Sequence, residues 1–467
     1  MLPSSSGYFI FLLGIFFLYW PLARVRLLAL ALVLFANYFF YAKWDLFYLA
    51  LIPIASFCDF LLALALDRSK NKPLRRLLVT LSILMNVGIL ASFKYMPFFL
   101  GNYARISGHA APAWHWTFPL GISFYTFQAL TYTIDVYRRD ARATSSLLAY
   151  LCSVSFFPTT LAGPITRVAD LIPQFERKDK TLAPSDGGRA LFLIGLGLMK
   201  KLLIADYLAD NLVNRVFDFP NLYTGAEVLI AVYAYTLQIY YDFSGYTDIA
   251  RGSAQLLGIK LPINFNMPYA AANVADFWRR WHITLSHWLR DYLYFSLPGL
   301  RSKWKVFTYW NLILTMAIGG LWHGASWNFA IWGLLHGIGL AVTHFWQTLV
   351  GREPVKGFRK FAGIFCTLQF VCFTWIFFRA PTLSAAFAIL ARIGSLTVSF
   401  ANISAGVAVV FAVAALAHYT PKRWFEASVN LYVRTPFYVQ ATAMAALLLA
   451  IEYLATSGAA PFIYTNF

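Results

Sequence analysis

Apolar runs long enough to cross a lipid bilayer recur along the whole chain, and no other feature narrows the possible fold so far. About 18 or more apolar residues in helical form bridge the roughly 30 Å hydrocarbon layer. Candidate spans fall at residues 7–20, 27–42, 44–66, 77–99, 118–137, 189–211, 227–243, 307–323, 326–346, 361–379, 402–420 and 437–455. The first two are short and suit a tilted or partly interfacial placement. Of the 467 residues, 60% are hydrophobic and only 12% are charged, whereas a soluble domain carries roughly 25% charged residues because its surface faces water. The expected fold is therefore an all-α polytopic membrane protein. Neither an internal repeat nor a low-complexity linker divides it, so residues 1–467 read as a single membrane domain. Gly7 to Trp20 has no basic residue before it and no small-residue cleavage pattern after it, which favours a retained span over a removed signal peptide.

A net charge of +18 would suggest nucleic acid in a soluble protein. Here the basic residues gather between apolar runs, at Arg24 and Arg26, Asp67 to Arg76, Arg138 to Arg142, Arg352 to Lys360 and Pro421 to Arg423. That is the pattern of cytoplasmic loops, with the bilayer and not nucleic acid as partner. Alternating spans from an external N-terminus keep those loops inside and put the C-terminus outside, provided that residues 147–163 enter and leave on one side. Phe157-Pro158-Thr159-Thr160-Leu161-Ala162-Gly163-Pro164 suits such a re-entrant turn, because its prolines and glycine oppose a straight helix. Cys58, Cys152, Cys366 and Cys372 all lie in apolar stretches and read as small packing residues, not as a disulfide framework.

Ser244 to Lys305 is the least lipid-like part, with eight basic and three acidic residues. Burying Arg279, Arg280, Arg290 and Asp291 at the bilayer centre would cost on the order of 10–14 kcal/mol. Phe277, Trp281, Leu285, Trp288, Tyr292 and Phe295 recur every three or four residues, so Phe277 to Leu297 is expected to be an in-plane helix on the cytoplasmic surface with one aromatic face. Asn273 with Asp276 three residues later marks its N-terminal cap.

His323 lies in Gly319-Gly320-Leu321-Trp322-His323-Gly324-Ala325-Ser326-Trp327, where one apolar run ends and another begins. Small residues there permit close backbone approach and a narrow passage around the imidazole. A buried neutral histidine suits general-base work, and the alternative is a histidine that bridges two helices through hydrogen bonds. His282, beside Trp281, is a candidate for orienting a substrate or the pantetheine arm of a thioester donor, against a plain interfacial role. Arg279, Arg280 and Arg290 match the phosphates of a nucleotide-bearing donor, or equally anionic lipid headgroups. Tyr241-Asp242-Phe243-Ser244-Gly245-Tyr246-Thr247-Asp248 follows a span directly, and its two carboxylates mark either a functional pathway or a capped, salt-bridged helix end. His336 and His344 lie on an apolar helix, and His109, His115 and His418 at span ends, where structural roles dominate. No zinc spacing, serine-hydrolase elbow, phosphate-binding glycine loop or dinucleotide fingerprint appears.

Together these segments resemble the membrane-bound O-acyltransferases, in particular their bacterial alginate O-acetyltransferase branch. The resemblance rests on Phe118-Pro119-Leu120-Gly121-Ile122-Ser123-Phe124-Tyr125-Thr126-Phe127-Gln128, Ala162-Gly163-Pro164-Ile165, the Tyr241 to Asp248 run and Leu261-Pro262-Ile263-Asn264-Phe265-Asn266. It continues through Phe277-Trp278-Arg279-Arg280-Trp281-His282-Ile283-Thr284-Leu285-Ser286, Trp288-Leu289-Arg290-Asp291-Tyr292, Trp322-His323-Gly324 and Phe377-Phe378-Arg379-Ala380. The motif-bearing core is thus about residues 118–380.

The resemblance implies a ring of about 11–13 tilted helices, with re-entrant and in-plane cytoplasmic helices, around a central tunnel. It implies catalysis by His323 supported by His282. Trp322, Arg279, Arg280, Arg290, Asp291, Tyr241, Asp242, Ser244 and Asp248 become candidates for substrate or donor binding, with no metal and no permanently bound cofactor. The donor would be acetyl-CoA or another acyl thioester on the cytoplasmic side of a bacterial inner membrane. The acceptor would be a hydroxyl on a periplasmic or membrane-anchored acetyltransferase partner that modifies an extracytoplasmic polysaccharide such as alginate, with peptidoglycan or cellulose as other acceptors. A secondary transporter, a polysaccharide-export channel and a non-catalytic scaffold are the rival classes.

Overall fold

The computed structural model describes residues 2–42, 49–114, 116, 121–299, 306–351, 356–454 and 462. Every regular element among them is helical, as lipid requires of a chain whose backbone polar groups must be satisfied within the segment that carries them. Each predicted span falls mainly on helix, apart from residues 44–48, 118–120 and 455, which lie outside the described residues, as do His115 and 352–355 of the basic loop. Several helices run well past the predicted limits. Lys72–Ser107 is continuous through a wider turn at Ala91–Tyr95, and Gly225–Leu256 extends for 32 residues. Lys72–Ser107, Trp327–Val350 and Gly357–Arg379 are each long and apolar enough to cross a bilayer; Ala405–His418 and Lys422–Arg434 form a pair bent by 98°. Ser6–Leu22 and Arg26–Ala42, 17 residues each, are the short pair the sequence suggests. Of the four cysteines, all free, Cys366 is exposed and so does not pack inside the protein as expected.

The chain packs as two compact units: Met1–Ile194 with Ile249–Pro262, and Gly195–Asp248 with Ile263–Phe467. In the first, the segment anticipated as re-entrant is broken into Leu147–Val154 and Phe157–Thr160. At about 1.5 Å per residue neither piece reaches across a bilayer. The break would orphan backbone groups, and Asn37 of the Arg26–Ala42 helix meets them. Its amide donates to the Cys152 carbonyl at 3.3 Å and to Ser155 Oγ at 3.2 Å, and its oxygen accepts the Phe157 N–H at 3.0 Å. Arg75 does similar service at helix ends. Its guanidinium donates to the carbonyls of Leu66, Val136 (3.1 Å) and Tyr137 (2.7 Å), closing the last turns of Leu51–Arg68 and Ile122–Arg138. Asp59, buried on Leu51–Arg68, accepts from Ser82 at 2.6 Å and Asn86 at 2.8 Å.

In the second unit, Val306–His323 and Trp327–Val350 form a tight antiparallel pair. A β-carbon at Gly333 would meet the Met316 carbonyl oxygen, one at Gly320 the Phe329 carbonyl oxygen, and one at Gly337 would lie 2.7 Å from Ile313 Cα. These glycines let the two backbones touch, the small-residue packing on which helix association in lipid depends.

The in-plane helix requires correction. Val274–Trp278 and Ile283–Trp288 are separate short helices, followed by wider and tighter turns at Leu289–Leu293 and Tyr294–Ser296. The aromatic periodicity reflects burial within protein, not a lipid-facing stripe: Phe277, Trp281 and Tyr292 are buried, and Phe295 alone of the series is well exposed. Only the cap stands as read, Asn273 Oδ1 accepting the Asp276 N–H at 2.9 Å.

Overpacking a well-filled contact costs roughly 1–3 kcal/mol. Gly333→Val is therefore expected to reduce the folded yield and thermal stability of the detergent-solubilised protein, whereas Gly14→Ala, with open space around it, is expected to leave both unchanged. Equal behaviour of the two variants would show that the glycine contact is unimportant.

Candidate active site

His323 is the last residue of its helix, and three residues, Gly324 to Ser326, turn the chain into the next one. The turn is closed by the Ser326 N–H donating to the Gly324 carbonyl at 2.9 Å. Glycine is required at 324 because a β-carbon there would overlap the Phe329 ring. The imidazole is buried at this apex, with ring centroids of Trp322 and Trp332 at 5.0 Å and Phe378 at 5.3 Å. Phe378 arrives from the end of Gly357–Arg379, where the Ala380 carbonyl accepts from Asn328 at 2.7 Å. The Phe377-Phe378-Arg379-Ala380 segment thus supplies one wall of the histidine's surroundings and fastens it to the hairpin. Arg379 holds that end by a 3.0 Å hydrogen bond to Asn214.

His282 occupies the break between the two short helices, with φ 40° and ψ 55°. A bulky side chain in this left-handed region is uncommon and is held by its surroundings. Here the holder is the 264–266 segment: Ile283 N–H donates to the Asn264 carbonyl and Asn266 N–H to the Arg280 carbonyl, both at 2.9 Å. The imidazole lies edge-on to Phe243 at 4.7 Å and contacts Trp322 at 6.3 Å. Burial pushes its pKa down to about 3, so the ring is neutral near pH 7. Both histidines therefore meet Trp322, in a buried aromatic setting.

The remaining candidates separate. Arg280 pairs with Asp276 at 3.0 Å, Arg279 is exposed and 3.9 Å from the same carboxylate, and Arg290 is exposed and paired with the half-buried Asp291 at 2.7 Å. Tyr241, Asp242, Ser244 and Asp248 are buried and do not lie at a helix end: they fall mid-helix in Gly225–Leu256. Tyr241 donates to the Ala414 carbonyl at 2.7 Å. Asp242 pairs with Lys201 at 2.6 Å, and Lys201 also meets Asp206 at 2.8 Å; Asp248 pairs with Lys200 at 2.6 Å. The run is thus salt-bridged within protein. Lys200, Lys201 and Asp206 went unnoticed in the sequence, although charges inside the apolar run 189–211 were the signal for partners elsewhere.

His336, on an apolar helix, is hydrogen-bonded at both ring nitrogens. The Trp278 indole N–H donates to its Nδ1 at 3.3 Å, and its Nε2 lies 3.0 Å from Thr374 Oγ1, which donates onward to the Val371 carbonyl at 2.9 Å. His418 likewise accepts the Tyr269 N–H, at 3.2 Å.

Comparison with known proteins bears on this arrangement. The family model for the membrane-bound O-acyltransferases matches residues 137–383. A peptidoglycan O-acetyltransferase of Helicobacter pylori is 38% identical over 380 residues, covering 76% of this chain and 72% of that protein. A protein of Azotobacter vinelandii named probable alginate O-acetylase is 39% identical over 402 residues, covering 84% and 78%. A teichoic acid D-alanyltransferase of Streptococcus thermophilus is 30% identical over 264 residues, covering 52% and 61%.

Removing one member of a buried ion cluster costs roughly 3–5 kcal/mol, because it strands its partners' charge. Lys201→Met is accordingly expected to lower the melting temperature of the solubilised protein far more than Arg279→Met, which removes an exposed charge. A Lys201→Met protein as stable as wild type would contradict the buried pairing.

Proposed function

The chain belongs to the membrane-bound O-acyltransferase family, and from that premise we propose that it carries an acetyl group across a bacterial inner membrane to O-acetylate an extracytoplasmic polysaccharide. It is an O-acyltransferase and a membrane protein. The donor is a cytoplasmic acyl thioester, acetyl-CoA first among them. The acceptor hydroxyl belongs to a periplasmic or membrane-anchored partner that passes the acetyl group to the polymer.

The observation that carries the reading is His323 itself: a buried imidazole at a helix apex, walled by Trp322, Trp332 and Phe378, with His282 against the same Trp322. His323 takes the proton of the acceptor hydroxyl as its oxygen forms a bond to the thioester carbonyl carbon. The tetrahedral intermediate collapses, the carbon–sulfur bond breaks, and the thiolate leaves with the proton that the imidazole held. Aromatic walls exclude water, which would otherwise hydrolyse the thioester. His282 supports the reacting groups from across Trp322. Arg279 and Arg290, both exposed, suit the phosphates of a nucleotide-bearing donor.

Alginate is the first acceptor polymer by similarity to the Azotobacter protein. Peptidoglycan is the second, because the Helicobacter protein is as similar in sequence.

The test is base-labile acetate on secreted polymer and on peptidoglycan from cells with matched membrane levels of wild type or His323→Ala. A positioned general base contributes typically 10²–10⁴-fold, so His323→Ala is expected to reduce acetylation at least about 100-fold while polymer export continues. Undiminished acetylation would reject His323 as the base, and loss of export would favour a transporter. The polymer that loses acetate identifies the acceptor.

A further inference from the structure

Asn264 is buried beside the break that carries His282. Its side-chain oxygen accepts the Thr284 backbone N–H at 3.1 Å and the Thr284 hydroxyl at 2.9 Å. A backbone N–H can only donate, so the amide must present oxygen, not nitrogen, at this point. The same oxygen lies 3.2 Å from His282 Nδ1. An amide oxygen can only accept, and Nδ1 must therefore carry the hydrogen. The neutral ring then has its basic lone pair on Nε2. Turning the ring over would set a carbon against the Asn264 oxygen, and the edge-on contact with Phe243 at 4.7 Å resists that rotation.

The opposite outcome at His336 shows that the assignment is local. There the Trp278 indole, a pure donor, faces Nδ1 and forces the hydrogen onto Nε2. The hydrogen on Nε2 then faces Thr374 Oγ1, whose own hydrogen goes to the Val371 carbonyl. Two buried histidines of one unit are fixed as opposite tautomers by the groups that meet their Nδ1 atoms.

We infer that Asn264 is a positioning residue of the acyl transfer: it fixes His282 as the Nδ1–H tautomer, so that Nε2 is the basic nitrogen His282 brings to the reaction. The inference rests on the acyltransferase reading and on a part for His282 in it. Asn264 acts through His282 and touches no reacting atom. Asparagine suits the task because one side-chain oxygen accepts from Nδ1 and from Thr284 at once, holding the ring against the 282–284 backbone.

The experiment is a double-mutant cycle on the initial rate of base-labile acetate formation in cells, at matched membrane levels, with Asn264→Leu, Asn264→Asp, His282→Ala and Asn264→Leu/His282→Ala. Asn264→Leu, which keeps the volume but removes the acceptor, is expected to slow transfer about as much as His282→Ala, by roughly 10- to 100-fold. Asn264→Asp keeps an acceptor oxygen for Thr284 and Nδ1 and is expected to stay within about threefold of wild type. The double variant is expected to match His282→Ala, since residues that act as a unit are non-additive. Losses that multiply in the double variant, or an Asn264→Asp protein as slow as Asn264→Leu, would overturn the inference while leaving the acyltransferase reading intact. Wild-type rates in His282→Ala would instead remove the part assigned to His282, and with it the role of Asn264.

Discussion

A backbone polar group inside a membrane protein has no water to turn to, and the structure is organised around that constraint. Uninterrupted helices meet it by themselves. At three interruptions an asparagine or arginine side chain stands in, donating to orphaned carbonyls or accepting an orphaned N–H. Asn37 serves the break after Val154, Arg75 closes two helix ends, and Asn264 serves the break at His282. Both histidines of the proposed mechanism stand at such breaks. His323 ends one helix and His282 sits between two, so each imidazole stands where the helical repeat no longer dictates the side chain's direction.

Close backbone approach is the second organising feature. Gly320, Gly333 and Gly337 bring two helices into contact, and Gly324 lets the chain turn immediately after His323 against Phe329. The imidazole is thereby delivered to Trp332 of the neighbouring helix and Phe378 of the next, residues 9 and 55 positions away in the chain. Proximity of this kind comes from the small residues, which contribute no chemistry.

The buried charges divide by role. Lys201 pairs with Asp206 and Asp242, and Lys200 with Asp248, inside the protein, as ionisable groups at that depth require partners. Their pairing explains how Gly225–Leu256 can carry two aspartates in its interior and remain a helix. The arginines of residues 279–290 behave differently: two are exposed, and their charge is only partly engaged by Asp276 and Asp291.

Local composition decided much of this in advance. Spans were legible because apolar length is a property of a contiguous segment, and the Asn273 cap because its partner lies three residues away. The family, too, followed from short contiguous motifs, and those motifs named His323 and His282. What sequence could not supply was any relation across long separations. Phe277 to Leu297 keeps a helical period although the chain breaks at His282, because burial against Phe265 and Trp375 produces the same apolar pattern as a helix face. Lys201 finds Asp242, and His282 finds Asn264, only through folding. Tautomer is the furthest removed from sequence: it depends on which atom of a neighbouring group faces a ring nitrogen, and that is settled by tertiary packing alone.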